Sequence, residues 1–147
     1  MQLEIRGKSK KLSHKATEKR VRVFAAQLMS PKMVASLSIR VIFKDLGENT
    51  GICWCSDRSA RWPKKYFIHI NNTISKDDQE AALAHELTHV KQWATGEKVD
   101  HVNGKTIRYR GEIFIPKADD SDYYKRPWEI EAYGYQVCLP RIYHESP

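Results

Sequence analysis

The residues of this 147-residue chain most able to do chemistry together are His85-Glu86-Leu87-Thr88-His89. Histidines at i and i+4 share one helix face about one turn apart, so both imidazoles can reach a single Zn²⁺ at about 2.0 to 2.1 Å. Glu86 sits about 100° around the helix, close enough to hold a metal-activated water and take its proton without being a ligand. Two histidines decorating a solvated helix face would carry the same pattern. The slim surroundings Ala81, Ala82 and Ala84 favour the metal reading.

A catalytic zinc site needs a third protein ligand and an open position. His101, Glu129 and Glu131 follow in sequence. The two acids fall on one predicted helix about 200° apart, so both cannot face the metal. His101 lies near a turn. The chemistry implied is metal-assisted hydrolysis, with Glu86 as general base and one zinc per chain. Tyr109, Tyr123, Tyr124, Tyr133 and Tyr135 are available as a further donor to an oxyanion, and sequence does not choose among them.

The elements that must position these groups can be read from pattern. Ser13 is a plausible cap for a helix through residues 15–29, ended by Pro31, with a short helical piece over Lys32 to Leu37. Alternation in residues 38–44 (SIRVIFK), then Ile52 to Cys55 and residues 65–71 (KYFIHIN), predicts three strands. The last of these offers an edge that a peptide could join. Ser75 and the acids after it open a helix from Lys76 to Thr95, about 30 Å long, with Leu83, Leu87, Val90 and Ala94 as its core stripe. Residues 107–115 (IRYRGEIFI) read as a strand or hairpin bending at Gly111. A final helix runs from Trp128 to Leu139, stopped by Pro140.

Composition bounds the rest. The length suits one domain, residues 1–147, that buries about two thirds of its unfolded surface. The longest apolar run is four residues, against about 20 for a membrane helix, and no secretory signal pattern opens the chain. Three cysteines, an odd number, suit a reducing compartment, so a cytoplasmic location is expected. The net charge of +7 is uneven, with +9 on residues 1–44 and −2 on the remainder. Lys10, Lys11, Lys15, Lys19 and Arg22 could bind nucleic acid, or be a solvated helix face. Residues 1–12 read as a basic segment open to flexibility. Trp54, Trp93 and Trp128 read as core, whereas Trp62, amid Arg58, Arg61, Lys64 and Lys65, could contact a single strand.

HELTH, its preceding strand and the Glu-x-x-Ala helix resemble the gluzincin branch of zincin metallopeptidases. That resemblance implies Glu129, three residues before Ala132, as third ligand, although Tyr133 stands where such families often have Asp or Asn. The element order over residues 13–140 also resembles small SprT-like metalloprotease domains and a compact relative of phage or virus type, which implies protein substrates bound to DNA. Those take a third His, for which His101 would serve. The implied fold is α+β: an N-terminal helix, a small mostly antiparallel sheet of three to four strands, the long HExxH helix, and a C-terminal helix bearing the third ligand. The expected function is a zinc metalloendopeptidase acting on protein or peptide, with the basic segment able to direct it to DNA. The alternatives are a nucleic-acid-binding module on a zincin scaffold, or a regulatory peptidase cleaving a repressor-type partner.

Overall fold

Period-two burial builds the main sheet. In Ser38–Lys44 (β2) the side chains of Ile39, Val41 and Phe43 are buried, and in Lys65–Asn71 (β4) those of Tyr66, Ile68 and Ile70 are. The structure is a computed structural model that describes residues 1–56 and 60–146. Gln2–Arg6 (β1) pairs parallel with β2, from Gln2 opposite Ser38 to Arg6 opposite Ile42. β2 pairs parallel with β4, and Gly51–Cys55 (β3) pairs antiparallel with β4 as the far edge, giving the order β1-β2-β4-β3. The expected α+β class holds, but the sheet is mixed rather than mostly antiparallel. Alternation reports which face of a strand is buried and is silent on its neighbours.

Two further expectations change with this order. β4 is interior, so the sheet edges are β1 and β3, of which β3 runs beside the α3 histidines. Part of the N-terminal basic segment is a strand, with Leu3 and Ile5 packed against the core.

Helices cover the buried face. His14–Leu28 (α1) is capped by Ser13, whose Oγ accepts from Ala16 N at 3.1 Å, and Pro31–Ala35 (α2) follows it. Lys76–Ala94 (α3) is capped by Ser75 through Asp78 N at 3.2 Å. Its predicted stripe of Leu83, Leu87, Val90 and Ala94 is fully buried. Pro127–Glu145 (α4) lies across α3, so polar residues on α3's other side, including Glu80 and Gln92, are buried too. Between α3 and α4, Lys98–Asp100 (β5), Ile107–Tyr109 (β6) and Glu112–Phe114 (β7) form a second, antiparallel sheet. Its hairpin turns at Arg110 and Gly111, both at positive φ, as a two-residue turn of this hand requires. β5 was not legible in advance.

Pro140 does not stop α4. The local penalty of an interior proline, about 3 kcal/mol, is met by what the next turn anchors. Leu139 is fully buried, and the Tyr143 ring packs edge-on to Phe24 at 6.2 Å and under the Arg20 guanidinium at 4.5 Å. Among the described residues no helix is long and apolar enough to cross a membrane.

Candidate metal centre

On α3 the i, i+4 spacing turns His85 and His89 toward α4, with ring centroids 4.9 Å apart and planes at 79°. Glu129 enters from the first turn of α4, where the helix dipole favours a carboxylate. Its Oε2 lies 3.1 Å from His85 Nε2 and 3.4 Å from His89 Nε2. One ligand atom from each of the three falls within 4.8 Å of the others, and all three residues are buried.

The other ring nitrogens are already spoken for. Gln92 is wholly buried and donates through Nε2 to Trp128 O at 2.8 Å and to Glu131 Oε1 at 3.1 Å. Both donors are thus committed, leaving its Oε1 to face His89 Nδ1 at 2.8 Å. That oxygen only accepts, so Nδ1 carries the hydrogen and Nε2 presents a lone pair. Gln136 Oε1 stands 3.0 Å from His85 Nδ1 and acts in the same way.

With both imidazoles neutral, two lone pairs converge on a carboxylate oxygen, a repulsion that a proton on one Nε2 or a metal ion among the three relieves. Burial alone would raise the pKa of Glu129, but hydrogen bonds and charge from the two imidazoles outweigh it and hold the carboxyl well below the usual range. Burial would lower that of His89, yet Glu129 and Glu86 raise it. Two imidazole nitrogens and one carboxylate oxygen suit a divalent transition ion, so the cluster can hold a metal.

Glu86 is buried beside the two histidines, and its desolvation raises its pKa against their opposing charge. Edge strand β3 passes directly over it. A Cβ built on Gly51 would stand 3.1 Å from Glu86 Cγ and Oε1, so any larger residue there would press on that side chain by a few tenths of an ångström. Gly51, Cys53, Glu86, both histidines, Tyr123 and Glu129 line a cleft of about 330 Å³.

The other sequence candidates separate cleanly. Glu131 does not join the cluster: it pairs with Lys91 at 3.1 Å and with Arg110, besides accepting from Gln92. His101 sits by a neighbouring, larger cleft, its Nδ1 2.7 Å from Thr106 Oγ1. Of the five tyrosines, Tyr123 lines the metal cleft and donates to Glu129 Oε2 at 2.9 Å, while the Tyr133 ring stands edge-on to His85 at 4.7 Å. Tyr109 packs on Trp128, Tyr124 is exposed, and Tyr135 packs against the core.

Lys10, Lys11, Lys15, Lys19 and Arg22 are all exposed, Arg22 being paired with Glu18 at 2.8 Å. Arg20, between them, is buried. Trp93 and Trp128 are core, but Trp54 is half-buried on the open face of the sheet. Trp62 is exposed, with Arg61 over its ring at 4.6 Å and Lys64 bonded to Ser36 at 3.1 Å. Arg58 lies outside the described residues. Gln92, Gln136 and Gly51 were missed by sequence reasoning. Only Gln92, three residues after His89 and so on the same helix side, carried any signal.

A family model described as Peptidase_M78, IrrE N-terminal-like domain, matches residues 34–142. No curated protein and no solved structure matches the chain.

Proposed function

This chain belongs to the Peptidase_M78 family of IrrE N-terminal-like domains, a zincin-like metallopeptidase family, and on that premise we propose that it is a zinc-dependent endopeptidase. His85, His89 and Glu129 hold the ion, and Glu86 is the general base. The observation that carries the reading is the meeting of the two α3 imidazoles with Glu129 of α4 at the cleft that also exposes Glu86.

Zinc, when bound, supplies Lewis acidity toward the scissile carbonyl and lowers the pKa of a water to about 7. The remaining work falls to the chain. Gln92 and Gln136 hold both imidazoles in the tautomer that turns Nε2 inward. The Glu86 carboxylate takes a proton from the attacking water and returns it to the leaving amine. Its desolvated setting favours holding that proton between the two transfers. Tyr123 commits its one hydroxyl proton to Glu129 Oε2, and so braces that ligand. The free edge of β3 offers backbone groups to an extended substrate, which favours a protein or peptide. A directing role for DNA through Lys10, Lys11, Lys15, Lys19 and Arg22 rests only on their exposure.

Metal analysis of the purified chain is expected to give one zinc, lost in His85→Ala and Glu129→Ala. Glu86→Gln should keep the zinc and lose cleavage of an unfolded casein substrate by about a hundredfold or more. Cleavage by Glu86→Gln at the wild-type rate would end the catalytic assignment.

A further inference from the structure

The main sheet has a second face that the metal centre does not use. Register fixes its membership: Trp54 lies opposite Phe67 and Ile52 opposite His69 across β3 and β4, while Arg40 lies opposite Phe67 and Ile42 opposite His69 across β2 and β4. The alternate residues of the same strands are buried under the helices, so this row points away from them. No described helix covers it. Ile52 is 42% exposed, and Arg40, Ile42, Trp54, Phe67 and His69 are half-buried.

Its chemistry is flat rings among cations. Trp54 and Phe67 stack at 5.4 Å with planes 20° apart, and His69 meets Trp54 edge-on at 4.6 Å. Arg40 and Lys65 stand over the Phe67 ring at 5.6 and 5.8 Å. Arg6 and Lys44 extend the row of cations, against a single acid on the outward strand positions, Glu4, which Arg6 and Arg40 engage. Three of the cations that make residues 1–44 so basic, Arg6, Arg40 and Lys44, therefore lie on this face. The α1 lysines lie on the helical side of the sheet, where among the described residues the ring that a lysine overlies is that of Tyr143, 5.8 Å from Lys19.

We propose that this open face, centred on Trp54 and Phe67 and flanked by Arg40 and Lys65, binds single-stranded nucleic acid. Unpaired bases stack on aromatic rings while phosphates follow the cations. A duplex hides its base faces, and an acidic peptide offers charge without stacking, so neither uses both halves of the surface. The site goes beyond the peptidase reading and does not depend on it. It is joined to the metal cleft through β3, where Gly51 and Cys53 line the cleft, Trp54 faces the open side and Ile52 borders both.

The test is fluorescence anisotropy of a labelled thymidine oligomer, about 20 nucleotides long, titrated with the full chain with and without chelator over about 50 to 300 mM salt. Binding should be independent of metal and weaken as salt rises. Trp54→Leu and Phe67→Leu, which keep apolar packing and remove the rings, should each weaken it about tenfold. Arg40→Ala with Lys65→Ala should reduce the salt slope by about 1.4, and Lys15→Ala with Lys19→Ala should change nothing. Circular dichroism checks that each variant is folded, and each ring is tested alone so that one misfolded variant leaves the other. The proposal is overturned by absence of binding at low salt, by equal affinity for duplex, by full competition from polyglutamate, or by losses that follow the α1 lysines instead of the rings.

Discussion

Two buried polar clusters tie α3 to its neighbours, about five residues or 7.5 Å apart along the helix. At the first, Glu80 accepts from Arg20 of α1 and stands 2.8 Å from His144 Nε2 of α4. Arg20 also donates to Ala16 O at 3.1 Å and to Tyr143 at 3.4 Å. At the second, His85, His89 and Glu129 converge with their remaining hydrogen bonds committed, and among the described residues no lysine or arginine pairs with Glu129. One carboxylate has its cation built into the chain. The other meets two imidazoles and the Tyr123 hydroxyl. The first cluster is complete as a structural clasp, whereas the second can hold a cation from solution.

The largest expected effect comes from breaking the first cluster. Arg20→Met leaves Glu80 charged and buried without its main partner, which should cost about 3 to 5 kcal/mol of stability in urea unfolding. Zinc content should not change. A variant that lost its zinc, or lost no stability, would mean that the two clusters are not separate devices. Next comes the second cluster's cation. Zinc free in solution at about 100 times its Kd should stabilise the fold by about 2.7 kcal/mol, which at this chain length raises Tm by about 5 to 11 °C. Glu129→Ala should abolish the rise. Equal melting temperatures for zinc-loaded and chelator-treated protein would remove the reason for treating the donor set as a metal site.

A smaller effect is expected where the second cluster is aimed rather than formed. Gln92→Leu removes the acceptor that fixes the His89 tautomer and should weaken zinc about tenfold in competition with a chelator. Nitrogen NMR of the imidazole should show the His89 Nδ1–H tautomer losing its dominance. Unchanged affinity and tautomer would reduce Gln92 to packing.

The legible part of the site is the part whose chemistry is local. His85, Glu86 and His89 lie within two turns of one helix, so spacing alone put them on the proper face. Glu129 and Glu131 could be set against each other by angle, and the Glu-x-x-Ala resemblance favoured the residue that the fold brings to the histidines. Gln92, Gln136 and Gly51 have no distinctive chemistry of their own. Their roles arise from a close approach between elements: Gln92 between α3 and α4, Gly51 between β3 and Glu86. The same holds for the fold. Alternation marked β2 and β4 to the residue, while their adjacency and the β1 edge depend on pairings that alternation does not encode. Pro140 misled because its penalty is local and the burial of Leu139 and Tyr143 that offsets it is not.

The smallest effect tests the first cluster from its exposed side. The His144 side chain is 54% exposed, against 5% for Glu80, so water and salt screen their interaction, and Arg20 already supplies the buried cation. His144→Ala should therefore cost only about 0.5 kcal/mol, a fraction of the Arg20→Met loss, and the difference should shrink further as salt is added. A loss as large as that of Arg20→Met would mean that Glu80 requires cations from both α1 and α4. The clasp would then be a three-part site like the metal cluster, and the distinction between a built-in cation and a bound one would no longer separate the two.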